Sequence, residues 1–363
     1  MKLSIGILAH NESKAIANLL QCLSQQSLLS SENTGLNQEH FVEIIVVPNG
    51  CSDNTAAIAR QTLEELTSVA NQTTWNWQVR EVIEAGKSNA WNLFIHQFAA
   101  PDADFFCLMD ADIKLHDRHT LEKMLKVLVA NPEYWIALDQ PIKDVELKEN
   151  KSWRDKLSVA VSKSSNAGQL YICGQLYCGR ATPLRNIWMP AGLPVEDGFL
   201  TQMIIRENFT VKNPTFSKRI VRVAEASHIF EAYTNPFELI NHEVRVVVGI
   251  VINIFLTYYL EERLCEAVSF RGSPQLTAGM LINNMNQESH FWLNDFVRNY
   301  LAQERWWLIP ISLVFRRYRS LQNHSWRKAL LRIPIATLAF LVDISIFIRA
   351  NSTLHRKVIS NYW

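Results

Sequence analysis

Phe105-Phe106-Cys107-Leu108-Met109-Asp110-Ala111-Asp112 runs five apolar residues directly into two carboxylates. A run of this length reads as a buried strand that delivers its acids at the carboxyl end, where open α/β sheets bind ligands. Two carboxylates one residue apart on an extended segment can share a hard divalent cation, which takes oxygen ligands and phosphate. A surface Asp pair that merely ends a strand is the alternative for any isolated D-x-D. The neighbouring sequence narrows the choice. Upstream, Leu3 to Ala9 and the β-branched-rich Val42 to Val47 predict strands, and Val79 to Ile83 a third. Between them lie predicted helices: one capped by Ser13 with Ile16, Leu19, Leu20 and Leu23 on its apolar face, one over Thr55 to Val69 preceded by Asp53, and one over Ser88 to Phe98. Strands alternating with helices in this rhythm predict βαβ units in a mainly parallel sheet with helices on both faces. Downstream, a helix over Thr120 to Val129, a strand at Ile136 to Asp139, an edge strand within Leu170 to Arg180, a helix over Phe199 to Arg206 and a last strand at Ile220 to Val223 are expected.

The chain has 363 residues, 48% of them hydrophobic, enough for a large core and an appendage. A formal net charge of +1 gives no overall field to attract nucleic acid, so no nucleic-acid partner is expected. The six cysteines are scattered without a C-x-x-C pair, which suits buried thiols in a reducing compartment rather than a disulfide framework or a zinc site. The apolar stretch at the N-terminus is too short for a signal peptide, and a cytoplasmic domain is expected. Beyond Asn235-Pro236 the composition changes. Val246 to Leu260, Trp306 to Phe315 and Ile333 to Ile348 are apolar runs, each short of the roughly 18–20 residues that span a bilayer. Arg316-Arg317-Tyr318-Arg319, Trp326-Arg327-Lys328 and Arg332 lie among them, a mixture expected either of helices peripheral on the inner face of a membrane or of a packed helical subdomain.

Three loops follow the early strands and should converge on one crevice with Asp110 and Asp112. They are Ala9-His10-Asn11-Glu12, Pro48-Asn49-Gly50-Cys51-Ser52-Asp53-Asn54-Thr55 and Ala85-Gly86-Lys87-Ser88-Asn89. Amides and acids there can read a base edge and ribose hydroxyls, while Lys87 can neutralise phosphate, a set that suits a nucleoside diphosphate.

Together these segments resemble those of family 2 glycosyltransferases with the nucleotide-sugar-binding GT-A fold. The resemblance rests on Leu8 to Glu12, Val46 to Thr55, Gly86-Lys87-Ser88-Asn89-Ala90-Trp91-Asn92, the D-x-D, Gly174-Gln175-Leu176-Tyr177-Cys178-Gly179-Arg180 and the acid pair Glu196-Asp197, and covers about residues 1–245. It implies a GT-A domain over 1–235, with a nucleotide-sugar half to 139 and an acceptor half from 140, followed by a helical region over 236–363. It implies that Asn11 and Glu12 touch base and ribose, and that Asn49 stands where the family reads the base with a carboxylate. Asp53, Lys87, Gly174 and Arg245 would line the donor site, with Lys87 beside the diphosphate. Asp110 would face ribose or a metal-bound water, and Asp112 would ligate Mg²⁺ or Mn²⁺. Asp197 would be the catalytic base, with Glu196 orienting it or meeting the acceptor. His228 takes a place where related enzymes often carry a further metal or diphosphate contact, although for a lone histidine the structural role is favoured.

Two departures carry consequences. Pro48-Asn49 replaces an acidic pair, so a UDP-, GDP- or dTDP-sugar stays open as donor. Asn241-His242-Glu243-Val244-Arg245-Val246 keeps only the arginine of the processive Q-x-x-R-W segment. With no spanning helix expected either, transfer of one hexosyl unit to a glycan or lipid-linked hydroxyl is predicted, with Lys143 to Gln169 and the C-terminal third shaping the acceptor pocket. Two rivals are a sugar-1-phosphate nucleotidyltransferase and a non-catalytic nucleotide-sugar binder. The first needs a glycine-rich phosphate loop after the first strand, which is missing here; the second has no use for a base at Asp197.

Overall fold

The computed structural model describes residues 1–29, 41–69, 75–150, 152, 170–211, 215, 218–233, 235–269, 276–289, 291–298, 306–319, 321 and 326–356. Its centre is an eight-stranded sheet in the order β3-β2-β1-β4-β7-β6-β8-β5. The strands are β1 (Lys2–Ala9), β2 (Phe41–Pro48), β3 (Trp75–Val79), β4 (Phe105–Asp110), β5 (Lys114–Leu115), β6 (Ile136–Lys143), β7 (Leu176–Arg180) and β8 (Ile220–Phe230). β3, β2, β1 and β4 run parallel, as the alternation of strands and helices predicts.

Strand side chains alternate between two cores because successive residues point to opposite faces. Leu3, Ile5, Ile7, Ile44, Val46, Cys107 and Met109 pack on one face against α1 (Ile16–Ser24), α2 (Thr55–Val69) and α4 (Thr120–Ala130). Leu8, Ile45, Val47, Phe106 and Leu108 face the other way, toward α3 (Lys87–Leu93), which continues as a π-helical turn over Phe94–Phe98. All four apolar residues predicted for α1 are buried. Glu43 interrupts β2 yet is buried, because it accepts from Ser4 Oγ and, at 2.7 Å, from Ala100 N. A buried acid is tolerated when donors meet it.

Several local expectations are corrected. Ser13 does not cap α1; Ala15 precedes the helix without a side-chain cap, and Ser13 N instead donates to Asp53 Oδ2 at 3.1 Å. The third strand ends at Val79, where it was predicted to start, and Val82 keeps only an isolated bridge to Asn49. β7 is not an edge strand. It lies antiparallel between β4 and β6, which explains why Leu176 to Cys178 are buried on both faces. The helix predicted from Phe199 starts earlier, as α6 (Glu196–Ile205) after the short α5 (Ala181–Leu184), so both acids of the pair sit in its first turn.

From position 236 the described elements are helices: α7 (Pro236–Ser269), α8 (Ala278–Glu288), α9 (Trp292–Phe296), α10 (Ile311–Val314), α11 (Arg316–Arg319) and α12 (Trp326–His355). Val247, Val248, Val251 and Ile252 of α7, with Phe347 and Ala350 of α12, join the same apolar cluster as Trp91 and Phe199. The expectation that no helix is long enough to span a bilayer is overturned. Phe237–Cys265 and Ala329–His355 are long and apolar enough to do so by length and composition, with 44% and 22% of their most apolar windows buried. Counting uninterrupted apolar runs missed this because polar residues inside the helices are satisfied internally: Asn253 Nδ2 donates to Val195 O at 3.0 Å, and Asp343 is held by two arginines.

Candidate functional site

The site forms where the parallel strands end. β4 delivers Asp110, and because β7 runs antiparallel beside it, the residues preceding β7 arrive at the same edge. Asp110 N donates to Gln175 O at 3.0 Å. Lys87 opens α3 and points inward, with Nζ 2.6 Å from Asp110 Oδ1, 3.0 Å from Glu196 Oε1 and 3.3 Å from Gly174 O. One ammonium thus joins an acid from the parallel half to an acid of α6. Gly174 stands between them. Its N–H donates to Asp197 Oδ2 at 3.4 Å, and a Cβ there would lie 2.8 Å from Glu196 Oε1 and 3.2 Å from Lys87 Nζ. A side chain there would have to push the Glu196 carboxylate aside. Asp197 Oδ1 also accepts from Gly198 N at 2.7 Å.

Burial dominates the electrostatics. Burial and the neighbouring Glu196 push Asp197 up to about 6, against a smaller opposing pull from Lys87. Burial likewise lifts Asp110 to about 6, with Lys87 opposing. Burial would lower Lys87, but the charges of Asp110 and Glu196 prevail and hold it well above its ordinary value. Glu12 is raised to about 7 by burial and by the charges of Asp112, Asp110 and Asp53, which places these acids around one space. Asp112 itself is exposed.

Asn11 lies on the loop after β1 with φ 57°, a left-handed conformation that asparagine tolerates better than most residues. Its Oδ1 accepts from Ser52 N at 2.8 Å and so ties the β1 loop to the β2 loop. Asp53 serves the same junction. Burial would raise it, but donors from Thr55 and Ser13 outweigh that and hold it near 2. Asn49 is fully buried: its Nδ2 donates to Ala9 O at 3.2 Å and its Oδ1 accepts from Gly86 N at 3.0 Å. In this arrangement Asn49 positions the Gly86-Lys87 turn, with neither end of its amide presented to a ligand.

The structure therefore brings together Lys87, Asp110, Gly174, Glu196 and Asp197, with Glu12 and Asp112 close by. His228 is fully buried and sits one layer behind. Its Nδ1 is 2.7 Å from Asp139 Oδ2 and its Nε2 is 3.3 Å from Gln175 Oε1, so both nitrogens are engaged. Arg245 lies on α7, where its charge, after burial, helps lower His242; none of the described contacts joins it to the Lys87 cluster. Most of Lys143 to Gln169, expected to shape the acceptor pocket, lies outside the described residues, as do the side chains of Trp326, Arg327 and Lys328. Sequence reading missed Tyr177 as a site residue: it lines a pocket with Lys87, Gly174, Glu196 and Asp197, and its hydroxyl accepts from Trp91 Nε1 at 2.6 Å. The available signal was the Gly174 to Arg180 segment itself, which holds Tyr177 within the resembling motif. Asp139 was also missed, for no local pattern ties it to His228.

Asp110 and Asp112 supply the hard oxygen donors that Mg²⁺ or Mn²⁺ takes, and a cation would relieve the repulsion that, after burial, helps raise Glu12. Among the described residues no three His, Cys, Asp or Glu side chains are gathered to hold a metal alone. The fit is to a cation shared with a phosphate ligand, since Mg²⁺ is commonly bound by one or two carboxylates plus substrate phosphates.

Residues 4–176 match the model of glycosyl transferase family 2. Over 127 residues the chain is 32% identical to a 4,4'-diaponeurosporenoate glycosyltransferase of Staphylococcus haemolyticus (strain JCSC1435). That alignment covers 34% of this chain and 28% of the relative, so the chain matches little more than a quarter of that protein's length. Among solved structures, the mannosyltransferase PcManGT of Pyrobaculum calidifontis, in complex with GDP-Man and Mn²⁺, is similar with a TM-score of 0.51 and 15% identity. The match covers 97% of this chain and 86% of that one. The fold is GT-A-like, and the part of the chain over residues 4–176 is similar to glycosyl transferase family 2.

Proposed function

We propose that the protein is an inverting, divalent-metal-dependent glycosyltransferase that moves one sugar from a nucleoside diphosphate to a hydroxyl acceptor. The observation that carries this reading is the Lys87 bridge between Asp110 and Glu196, with Gly174 linking it to Asp197. It joins the end of β4 to the acids of α6, which supports reading them as one site.

In this mechanism Asp197 removes the proton from the acceptor hydroxyl while that oxygen attacks C1 of the sugar. The bond from C1 to the diphosphate oxygen breaks on the opposite side, so the anomeric centre inverts. Positive charge develops on the ring, as in glycoside hydrolysis. Lys87, already cationic, stands where it can meet the charge that accumulates on the leaving diphosphate. Asp112, with Asp110, would hold Mg²⁺ or Mn²⁺, which when bound adds positive charge at that diphosphate. Gly174 N–H and Gly198 N–H orient the Asp197 carboxylate. Glu196 keeps Lys87 seated and raises the basicity of Asp197. The solved neighbour with GDP-Man and Mn²⁺ supports the donor class and the metal, and the base stays open among UDP-, GDP- and dTDP-sugars because Asn49 is turned away from a ligand. A glycan or lipid-linked acceptor, in polysaccharide or glycolipid synthesis on the cytoplasmic side, completes the proposal.

Calorimetric titration with UDP, GDP and dTDP, with and without Mn²⁺, tests the donor half. One nucleotide should bind, with Mn²⁺ strengthening it, and Asp112→Asn should abolish the strengthening. Unchanged Mn²⁺ dependence in Asp112→Asn would remove that residue from the metal site. The pH profile tests the base. Asp197 must be ionised to act, so kcat/KM should fall as pH drops through about 6, by about tenfold per unit on the limb. A profile flat down to pH 4 would contradict the assignment.

A further inference from the structure

The last part of the chain has a charge and a surface unlike the rest. Residues 306–363 hold nine Lys and Arg against a single acid, Asp343, whereas the residues before them hold 27 against 34. That acid is turned inward. Asp343 is 1% exposed and is gripped by Arg316 Nε at 3.0 Å and Arg317 Nε at 2.9 Å, and Arg316 also reaches Glu243 of α7 at 3.3 Å. The inner side of α12, including Ile346, Phe347, Ala350 and Leu354, packs into the core.

The outer side is bare and aliphatic. Between Arg332 and Arg349, a rise of about 25 Å along the helix, no exposed position carries a charge. Ile335, Leu338, Leu341, Val342 and Ile348 are each more than half exposed, and Ile311 on the adjoining α10 is 74% exposed. Soluble monomers rarely leave a continuous apolar strip of this length uncovered. A second copy of the chain is a poor cover, because it would bring two strongly cationic segments together. An anionic lipid surface accepts both features at once, with acyl chains against the strip and headgroups against the flanking arginines.

We propose that this face of α12 seats in the headgroup boundary of an anionic bilayer, with the helix lying in the membrane plane. A helix with one apolar side outward and the other packed on its own domain is built to lie in a surface rather than to cross it. Resting on the glycosyl-transfer reading, the acceptor is then a membrane-borne hydroxyl.

The test is co-sedimentation of the purified full chain with vesicles of phosphatidylcholine alone and of phosphatidylcholine with phosphatidylglycerol in equal parts. Binding should require phosphatidylglycerol and weaken with salt. The double substitution Leu338→Glu with Leu341→Glu, both at exposed positions, should cut that binding by about tenfold or more. Sedimentation velocity without vesicles should show wild type and variant in the same oligomeric state. Equal binding of the two proteins, or a wild-type oligomer that the substitutions dissociate, would overturn the proposal, the latter naming a second copy as the cover. Nucleotide release from donor in detergent-free buffer is read in parallel. If it persists while vesicle binding is absent, the membrane inference fails and the transferase reading stands.

Discussion

Asp197→Asn should lower kcat by roughly 10²–10⁴-fold, the range a positioned general base supplies, while leaving nucleotide affinity near that of wild type. The reasoning is geometric. Asp197 lies across Gly174 from the Lys87 cluster, so its loss touches proton removal and not the diphosphate contacts. The asparagine keeps the shape and can still accept from Gly198 N through Oδ1. Steady-state kinetics beside calorimetric nucleotide binding checks this. A variant that loses affinity and keeps kcat would place Asp197 in donor binding.

The second large effect concerns Lys87. Replacing it with methionine leaves Asp110 and Glu196 facing each other without a cation, with side chains only 22% and 12% exposed. Removing one partner from a buried ion pair destabilises on the order of 3 kcal/mol, mostly through the charge left behind. Asp110 is already lifted to about 6 with the lysine present, and without it the carboxyl must rise further. The folded variant then binds more protons than the unfolded chain above the ordinary carboxylate range. Its stability therefore falls as pH rises and recovers as pH drops below the raised value. Thermal denaturation should show Lys87→Met well below wild type at pH 8 and closer to it at pH 5, together with loss of donor turnover. Equal melting temperatures at pH 8 would mean that the bridge contributes nothing to the fold.

The parallel half was legible because local pattern and tertiary role agree there. β1, β2 and β4 are apolar runs that end in polar loops, and Thr55 to Val69 matches α2 residue for residue. Asp110, Lys87 and the acid pair could be named because each follows such a strand or opens a helix. Other features depend on pairing, which no window of sequence contains. β7 has the composition of a modest edge strand, and only its antiparallel insertion between β4 and β6 brings Gly174 and Gln175 to the site edge. Asn49 looks available in the sequence, yet the closeness of the Gly86 turn claims its amide. His228 and Asp139 are 89 residues apart, and their pairing follows from β6 and β8 lying side by side. The helical region was misjudged for a related reason. Asp343 breaks an apolar run on paper, whereas in the fold two arginines absorb it and the helix runs on from Trp326 to His355.

The central claim is that the acids ending β4 and the acid pair opening α6 flank one nucleotide sugar. The most direct measurement is nucleoside diphosphate release from a panel of UDP-, GDP- and dTDP-sugars with Mn²⁺ present, compared between wild type and Asp197→Asn. The account predicts release from sugars of one base, abolished by chelation and strongly reduced in the variant. Release that is indifferent to base, chelator and Asp197, or none from any donor by a folded wild-type protein, would contradict it.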